Sequence, residues 1–124
     1  MTLVALPPLT QLPPDDRGLL QDLCDRIVAA VGERVKAIKL FGSRARGDAR
    51  SDSDFDLLVL IDKDEFPLAE QIRNIAYDVY WDDDFRHFLS VQVISQDQYD
   101  FQGSPPSSFY VSVEAEAVTL WTRR

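Results

Sequence analysis

Apolar residues recur along the chain with two different periods, which predict an alternation of helices and strands. Between about Asp15 and Val31 they return at every third or fourth position, the spacing of one helix face. These apolar positions are Leu20, Leu23, Cys24, Ile27, Val28 and Val31. We expect Asp15 or Asp16 to cap this helix and Gly32 to end it. Cys24 lies on the apolar stripe and is expected to be a small buried hydrophobe.

The remaining pattern predicts four strands and three further helices. The strands cover residues 35–41, 55–61, 88–95 and 117–121, and the helices cover 67–81, 97–101 and 108–114. About a dozen residues join the first two strands, too few for a packed helical crossover, so these strands are predicted to be antiparallel. The long helical connection between the second and third strands predicts a parallel pair. The fold class is therefore α/β (α+β), a mixed sheet of about four strands with helices packed on it.

Two acidic residues open the second strand. Side chains alternate along a strand, so Asp54 and Asp56 point to one side, followed there by Leu58 and Leu60. The other side is apolar too, which predicts a central strand covered on both faces. Two like charges about 4 Å apart repel by roughly 4 kcal/mol at an effective dielectric constant of 20. A hard cation such as Mg²⁺ offsets this repulsion, so both aspartates are predicted metal ligands.

The antiparallel pairing brings Gly42 and Ser43, at the end of the first strand, to the same edge of the sheet. Glycine allows a phosphate to approach the main chain closely, and a short helix from Ser43 would direct N–H groups at an anion. Arg44 and Arg46 add permanent positive charge suited to phosphate. Together these features predict a site for a metal-bound nucleoside triphosphate. Taken singly, a Gly-Ser pair after a strand is usually a plain turn, and an Asp-rich segment is usually a solvated loop.

Composition excludes several other classes of protein. The chain has 124 residues, enough for one domain, and a formal net charge of −8, which argues against broad nucleic-acid binding because such binding needs a basic face. One cysteine allows no internal disulfide, the first residues lack the basic region of a signal peptide, and no apolar run could span a bilayer. We therefore expect a cytoplasmic protein without membrane contact. Prolines predict an extended arm over residues 1–13, followed by a single domain over 14–124.

The two halves of the predicted site also carry a resemblance. Gly42-Ser43, ten intervening residues and then Asp54-Phe55-Asp56 resemble the GSx10DxD signature of the nucleotidyltransferase superfamily related to DNA polymerase β. The longer stretch GSRARGDARSDSDFDLLV is similar to the minimal nucleotidyltransferase (MNT) branch. The resemblance implies the nucleotidyltransferase fold, Mg²⁺, and transfer of a nucleoside monophosphate from ATP or another triphosphate. It also implies that Gly42 and Ser43 bind the β- and γ-phosphates and that Asp54 and Asp56 are catalytic metal ligands.

Members of this superfamily usually carry a third carboxylate on a later strand. The matching position in the strand 88–95 is Gln92, with Ser90 the next candidate on the same face, and neither is acidic. One of the acids at 82–84 could substitute for it. A neutral side chain supplies no charge for a second metal ion and takes no proton, so this departure predicts slow or absent transfer with nucleotide binding retained.

The resemblance implies a small helical HEPN-type protein as partner, because MNT domains often pair with one in toxin–antitoxin modules. One hypothesis is an adenylyltransferase that moves AMP from ATP to a hydroxyl of that protein, as an MNT-type antitoxin. A second is a catalytically impaired, nucleotide-binding antitoxin or regulator that neutralises its partner by direct contact. A third is a stand-alone domain without a toxin partner.

Overall fold

A four-stranded sheet with helices on both faces forms the centre of the computed structural model, which describes residues 12–50 and 53–123. The strands are β1 (Val35–Phe41), β2 (Phe55–Ile61), β3 (Leu89–Ser95) and β4 (Val118–Thr122). The helices are α1 (Pro14–Val31), α2 (Ser43–Arg46), α3 (Phe66–Asp82), α4 (Gln96–Phe101) and α5 (Ser108–Glu116), with a 3-10 turn at Gly32–Arg34. Every predicted strand and helix is present, with ends within two residues of the predicted ones.

The strand order is β3-β2-β1-β4, so β1 and β2 are the inner strands. β1 is antiparallel to both β2 and β4, whereas β2 and β3 are parallel and are connected through α3. Both predicted strand directions are confirmed, and the sheet is mixed, as expected. The antiparallel β1–β2 pair brings the end of β1 to the start of β2, which is the arrangement that a site built from both strands requires.

Alternation along β2 sends its side chains into two apolar layers. The larger layer lies between the sheet and the helices α1 and α3, and its members from β2 are Phe55, Leu57, Val59 and Ile61. On the opposite face, Leu58 and Leu60 pack with Tyr99 of α4 and Val113 of α5. β2 is therefore covered on both faces, as its sequence predicted. Asp56 belongs to the face of Leu58 and Leu60, at the end of the smaller layer.

The ends of α1 differ from the prediction. Pro13 is the N-cap residue and makes no side-chain capping hydrogen bond, so the prediction that Asp15 or Asp16 is the cap is wrong. The helix starts at Pro14, which is common at the first helical position because its missing N–H would have no intrahelical partner, and both aspartates fall inside the first turn. Gly32 follows the helix as predicted, with a right-handed φ of −55°, since the chain continues into a 3-10 turn.

Three smaller expectations concern Cys24, the N-terminal arm and membrane-spanning segments. Cys24 is fully buried in the larger apolar layer, as expected, and burial raises the pKa of its thiol to about 12. The predicted arm at 1–13 falls almost entirely on residues 1–11, which lie outside the described residues. Across 12–50 and 53–123, no helix combines the length and the apolar character needed to cross a bilayer.

Candidate functional site

The edge of the sheet where β1 ends and β2 begins gathers the residues predicted for the site. Phe41, the last residue of β1, is the Cα partner of Asp56, and Gly42 follows it directly. On the other side, Asp56 is the Cα partner of Ser90 on β3. Asp54 immediately precedes β2 and is exposed, whereas Asp56 is half-buried. The glycine and the two carboxylates are thus brought together from positions 12 to 14 residues apart.

Gly42 is required at this edge for two reasons. Its φ of 77° lies in the left-handed region that side chains disfavour. A Cβ at this position would also overlap Oδ2 of Asp56. The main chain of Gly42 therefore lies directly against the Asp56 carboxylate, and any larger residue would displace one or the other.

The chain after Gly42 forms a single helical turn, α2, as the sequence predicted. The N–H groups of Ala45 and Arg46 donate to the Gly42 carbonyl oxygen over 3.1 and 3.0 Å. Gly47 ends the turn with a left-handed φ of 86°, a common geometry for the residue after a helix. Ser43, as the first residue of α2, is held next to the carboxylate edge with its side chain partly exposed.

The surroundings of Asp56 disfavour the ionised form of its carboxyl group. Burial raises the pKa of Asp56, and the nearby charge of Asp54 raises it further, while Arg46 acts in the opposite direction. Repulsion between the two acids, expected from their spacing, is therefore present in the folded chain. A bound cation would relieve it, because an opposite charge favours the ionised form of both side chains.

Arg46 lies on the solvent side of this edge. Its guanidinium donates to Oε2 of Glu116 over 3.0 Å and to Oδ2 of Asp48 over 3.3 Å. Glu116 is the last residue of α5, so the ion pair ties the helical turn α2 to the layer beneath the sheet. The Arg46 side chain is 42% exposed, which leaves it accessible to an anion that approaches the Asp54–Asp56 edge.

Arg44, the other arginine predicted to bind nucleotide, is placed quite differently. Its side chain is only 10% exposed, and its guanidinium points away from solvent towards α1 and the start of β2. There it contacts Asp16, the carbonyl oxygen of Ser53 and the ring of Phe55. The two arginines of one helical turn thus have opposite surroundings, which their shared motif did not indicate.

The position of the expected third carboxylate is defined by the register between β2 and β3. Gln92 is the Cα partner of Leu58 and is exposed, so it lies on the same face as Asp56, as predicted. Ser90 is closer, because it is the direct partner of Asp56. Neither side chain is acidic. Among the described residues, no three His, Cys, Asp or Glu side chains are grouped so that they could hold a metal ion.

The acids at the end of α3 are engaged with neighbours of their own. Asp83 is nearly buried, accepts hydrogen bonds from the main-chain N–H of His87 and from Arg86, and contacts the His87 ring. Asp82 accepts a 2.7 Å hydrogen bond from Arg26 of α1. These contacts join α3 to α1 and to the start of β3.

Two residues next to the site have roles that sequence reasoning missed: Asp16, which was expected only as a possible helix cap, and Glu116. Each forms an ion pair with an arginine of α2, at separations of 28 and 70 residues along the chain. Nothing in the local pattern around either acid distinguishes it from an ordinary surface residue of a helix. Both were therefore identifiable only from the packed structure.

Comparison with known proteins agrees with this geometry. Residues 18–103, which include both halves of the site, match the family model described as nucleotidyltransferase domain. A segment of 45 residues is 42% identical to a protein of Methanocaldococcus jannaschii that carries the name of a protein adenylyltransferase. That match covers 36% of this chain and 45% of the relative, so the chain spans less than half of the curated relative it matches.

Solved structures share the fold. A Sulfolobus solfataricus protein named as a nucleotidyltransferase aligns with a TM-score of 0.57 and 18% identity, over 86% of this chain and 79% of its own. A toxin–antitoxin structure with AMP-PNP aligns with a TM-score of 0.50 and 18% identity, over 82% of this chain and 73% of its own. At this identity the likeness concerns the fold, while the family-model match covers the motif itself. The chain therefore belongs to the nucleotidyltransferase domain family.

Proposed function

We propose that this chain binds Mg²⁺ and a nucleoside triphosphate, ATP in the first instance, at the edge formed by Gly42, Ser43, Asp54 and Asp56, and transfers the nucleoside monophosphate. The observation that carries this proposal is the contact between the Gly42 main chain and the Asp56 carboxylate, which joins the two halves of the motif. Family members generally use a divalent metal ion, and paired carboxylates are the oxygen donors that Mg²⁺ prefers.

The residues present fit such an ion. Asp54 and Asp56 are two carboxylates on one edge, and burial and repulsion raise the pKa of Asp56, so a cation there would be stabilising. When bound, the ion would neutralise charge on the phosphate oxygens. The chain's own part is to position the nucleotide: the Ser43 hydroxyl donates a hydrogen bond to phosphate, and the exposed Arg46 guanidinium supplies positive charge.

The reaction class follows from the family. A bond forms between an acceptor hydroxyl oxygen and the α-phosphorus, the bond from that phosphorus to the bridging oxygen breaks, and pyrophosphate leaves. The acceptor proton must pass to a base, since the oxygen that attacks loses it. We assign the acceptor to a protein partner of the HEPN type, with this chain as the antitoxin of the pair. The name of the M. jannaschii relative and the toxin–antitoxin structure of the same fold support this assignment.

A second function has one specific observation in its favour. On β3, Ser90 is the register partner of Asp56, and Gln92 is the next residue on the same face. Both are neutral. A site without the third carboxylate would bind nucleotide and metal but have no obvious group to receive the acceptor proton. In that case the chain acts as a nucleotide-binding regulator that neutralises its partner by contact.

One experiment separates the two functions. The purified chain is incubated with Mg²⁺, ATP labelled on its α-phosphate, and a small helical protein of the HEPN type. Label on the partner supports transfer, whereas a stable complex and nucleotide binding without label support the regulatory function. A chain that binds neither ATP with Mg²⁺ nor the partner would contradict both.

A further inference from the structure

Arg44 contacts three parts of the chain that meet behind the metal–nucleotide edge. Its Nε and Nη2 donate to the carbonyl oxygen of Ser53, over 3.2 and 2.8 Å, immediately before Asp54. Its Nη1 lies 3.3 Å from Oδ2 of Asp16 in the first turn of α1. Its Cζ lies 4.4 Å from the centre of the ring of Phe55, the residue between the two acids. One side chain thus connects α1, α2 and the start of β2.

The ion pair between Arg44 and Asp16 is shielded from solvent. The two side chains are 10% and 11% exposed. At this burial a charge that loses its partner is strongly unfavourable, so the pair enforces one arrangement of the elements that carry it. A planar guanidinium can form the forked hydrogen bond, the ion pair and the ring contact together, which a lysine ammonium cannot.

We propose that Arg44 is a positioning residue for the nucleotide site, and that Asp16 in turn fixes Arg44. Arg44 belongs to the same helical turn as Ser43, and it holds the residue immediately before Asp54. Its side chain therefore sets the distance between the phosphate-binding half of the site and its carboxylate half. This inference rests on the proposed function, because it concerns the same edge of the sheet.

Direct contact of Arg44 with phosphate is the competing assignment. It would require the guanidinium to leave Asp16, the Ser53 carbonyl and the Phe55 ring, all of which it contacts simultaneously. Arg46, two residues further on, also forms ion pairs, with Asp48 and Glu116, but its side chain is 42% exposed at the edge, so it can reach an anion without leaving a buried position. The positioning role, in contrast, requires no change in the contacts that Arg44 makes.

The two assignments predict different results from a double-mutant cycle. Arg44→Gln, Asp16→Asn and the double variant are compared with wild type in calorimetric binding of a non-hydrolysable ATP analogue with Mg²⁺. We expect Arg44→Gln to weaken binding by about tenfold or more and Asp16→Asn by about fivefold, with the double variant no weaker than Arg44→Gln alone. Arg34→Gln is the matched control, since it breaks a 2.8 Å Arg–Asp pair with Asp62 at the opposite end of β2. It should change the affinity by less than about twofold.

The Mg²⁺ dependence distinguishes positioning from phosphate contact. Displaced carboxylates weaken the binding of the ion itself. With the nucleotide concentration scaled to the dissociation constant of each variant, both single variants should therefore raise the Mg²⁺ concentration needed for half-maximal nucleotide binding, whereas loss of a phosphate contact alone should not. If Asp16→Asn leaves binding unchanged or tightens it, Arg44 acts on phosphate or not at all, and the proposal is overturned. Additive effects in the double variant overturn it as well.

Misfolding of a variant and failure of wild type to bind must both be distinguished from failure of the positioning role. Where thermal unfolding shows that Arg44→Gln does not fold, Arg44→Lys and Asp16→Asn are judged by the same Mg²⁺ criterion, and Arg44→Lys should be intermediate because it keeps the charge without the fork. Wild type that fails to bind the analogue would refute the proposed function. Wild type that binds while the variants bind equally well refutes only the role of Arg44.

Discussion

The main chain of Gly42 and the carboxylate of Asp56 are in direct contact, so that a Cβ on residue 42 would overlap Oδ2 of the acid. The contact joins the end of β1 to the start of β2 across the antiparallel pair. It explains why glycine is needed after an apolar strand, and why the acid stands at the second position of the next one. The proposed nucleotide site therefore depends on both strands together.

Gly42→Ala should abolish binding of ATP with Mg²⁺. The added methyl group displaces the Asp56 carboxylate, and it also imposes backbone strain of about 1–3 kcal/mol, because a φ of 77° with a ψ of −159° is a conformation that essentially only glycine adopts. Calorimetry measures the affinity, and denaturant unfolding measures the stability.

Gly47→Ala is the matched control for that variant. Gly47 also has a positive φ, 86°, in the left-handed helical region with a ψ of 11°, but a Cβ there meets nothing within 4 Å, so the substitution adds backbone strain without displacing a carboxylate. It should lower the free energy of unfolding and leave nucleotide affinity nearly unchanged. Equal loss of affinity in both variants would show that the Gly42 contact has no special role.

Much of the fold followed from local patterns in the sequence. The alternation in 35–41 and 55–61 determined both inner strands, and the short connection between them determined their direction. Asp56 and Leu58 share a face because they are two residues apart in the strand, and Asp54, just before the strand, is near enough for its charge to raise the pKa of Asp56. These features depend on neighbours in sequence, which is why they were predictable.

The features that could not be predicted depend on packing between distant segments. Alternation placed Gln92 on the face of Asp56, but a shift of two residues preserves the face, so it could not decide between Gln92 and Ser90 as the nearest residue. The direction of Arg44 depends on Asp16, 28 residues earlier, and on the Phe55 ring. The motif indicated the chemistry of an arginine at position 44, but it did not indicate which residues that arginine contacts.

The pH dependence of the free energy of unfolding should show that the folded chain disfavours the ionised form of Asp56. The pKa of Asp56 is raised above 3.8, first by burial and then by Asp54, so the folded state holds this proton more tightly than the unfolded state does. Its contribution to the free energy of unfolding therefore decreases as pH rises from 3.8 through the folded-state pKa. Metal-free Asp56→Asn lacks this loss and should gain stability relative to wild type between about pH 3 and pH 7.

Asp62→Asn provides the opposite sign in the same measurement. The hydrogen bond from Arg34 lowers the pKa of Asp62, so its contribution is present at neutral pH and is lost as pH falls through the folded-state pKa. That variant should lose stability relative to wild type as pH rises over the same interval. Parallel changes in the two variants would contradict the electrostatic description of Asp56.

A carboxylate introduced on β3 should increase transfer of the nucleoside monophosphate to the protein partner. Ser90→Asp places an acid directly beside Asp56 in register, where it can bind a second metal ion and receive the acceptor proton. We expect Ser90→Asp to raise the labelling rate above that of wild type, and Gln92→Asp, one step further along the face, to raise it less. Rapid labelling by wild type with no gain in either variant would mean that the base comes from another residue or from the partner.

The most direct test of the central claim is calorimetric binding of AMP-PNP with Mg²⁺ to wild type and to the Asp54→Asn, Asp56→Asn double variant. Both chains are first shown to be folded by thermal unfolding in the absence of metal, where removal of two like charges should not destabilise the variant. We expect wild type to bind one nucleotide and the double variant to bind it at least about tenfold more weakly. Equal affinity in the two chains would contradict the assignment of the nucleotide site to this edge of the sheet.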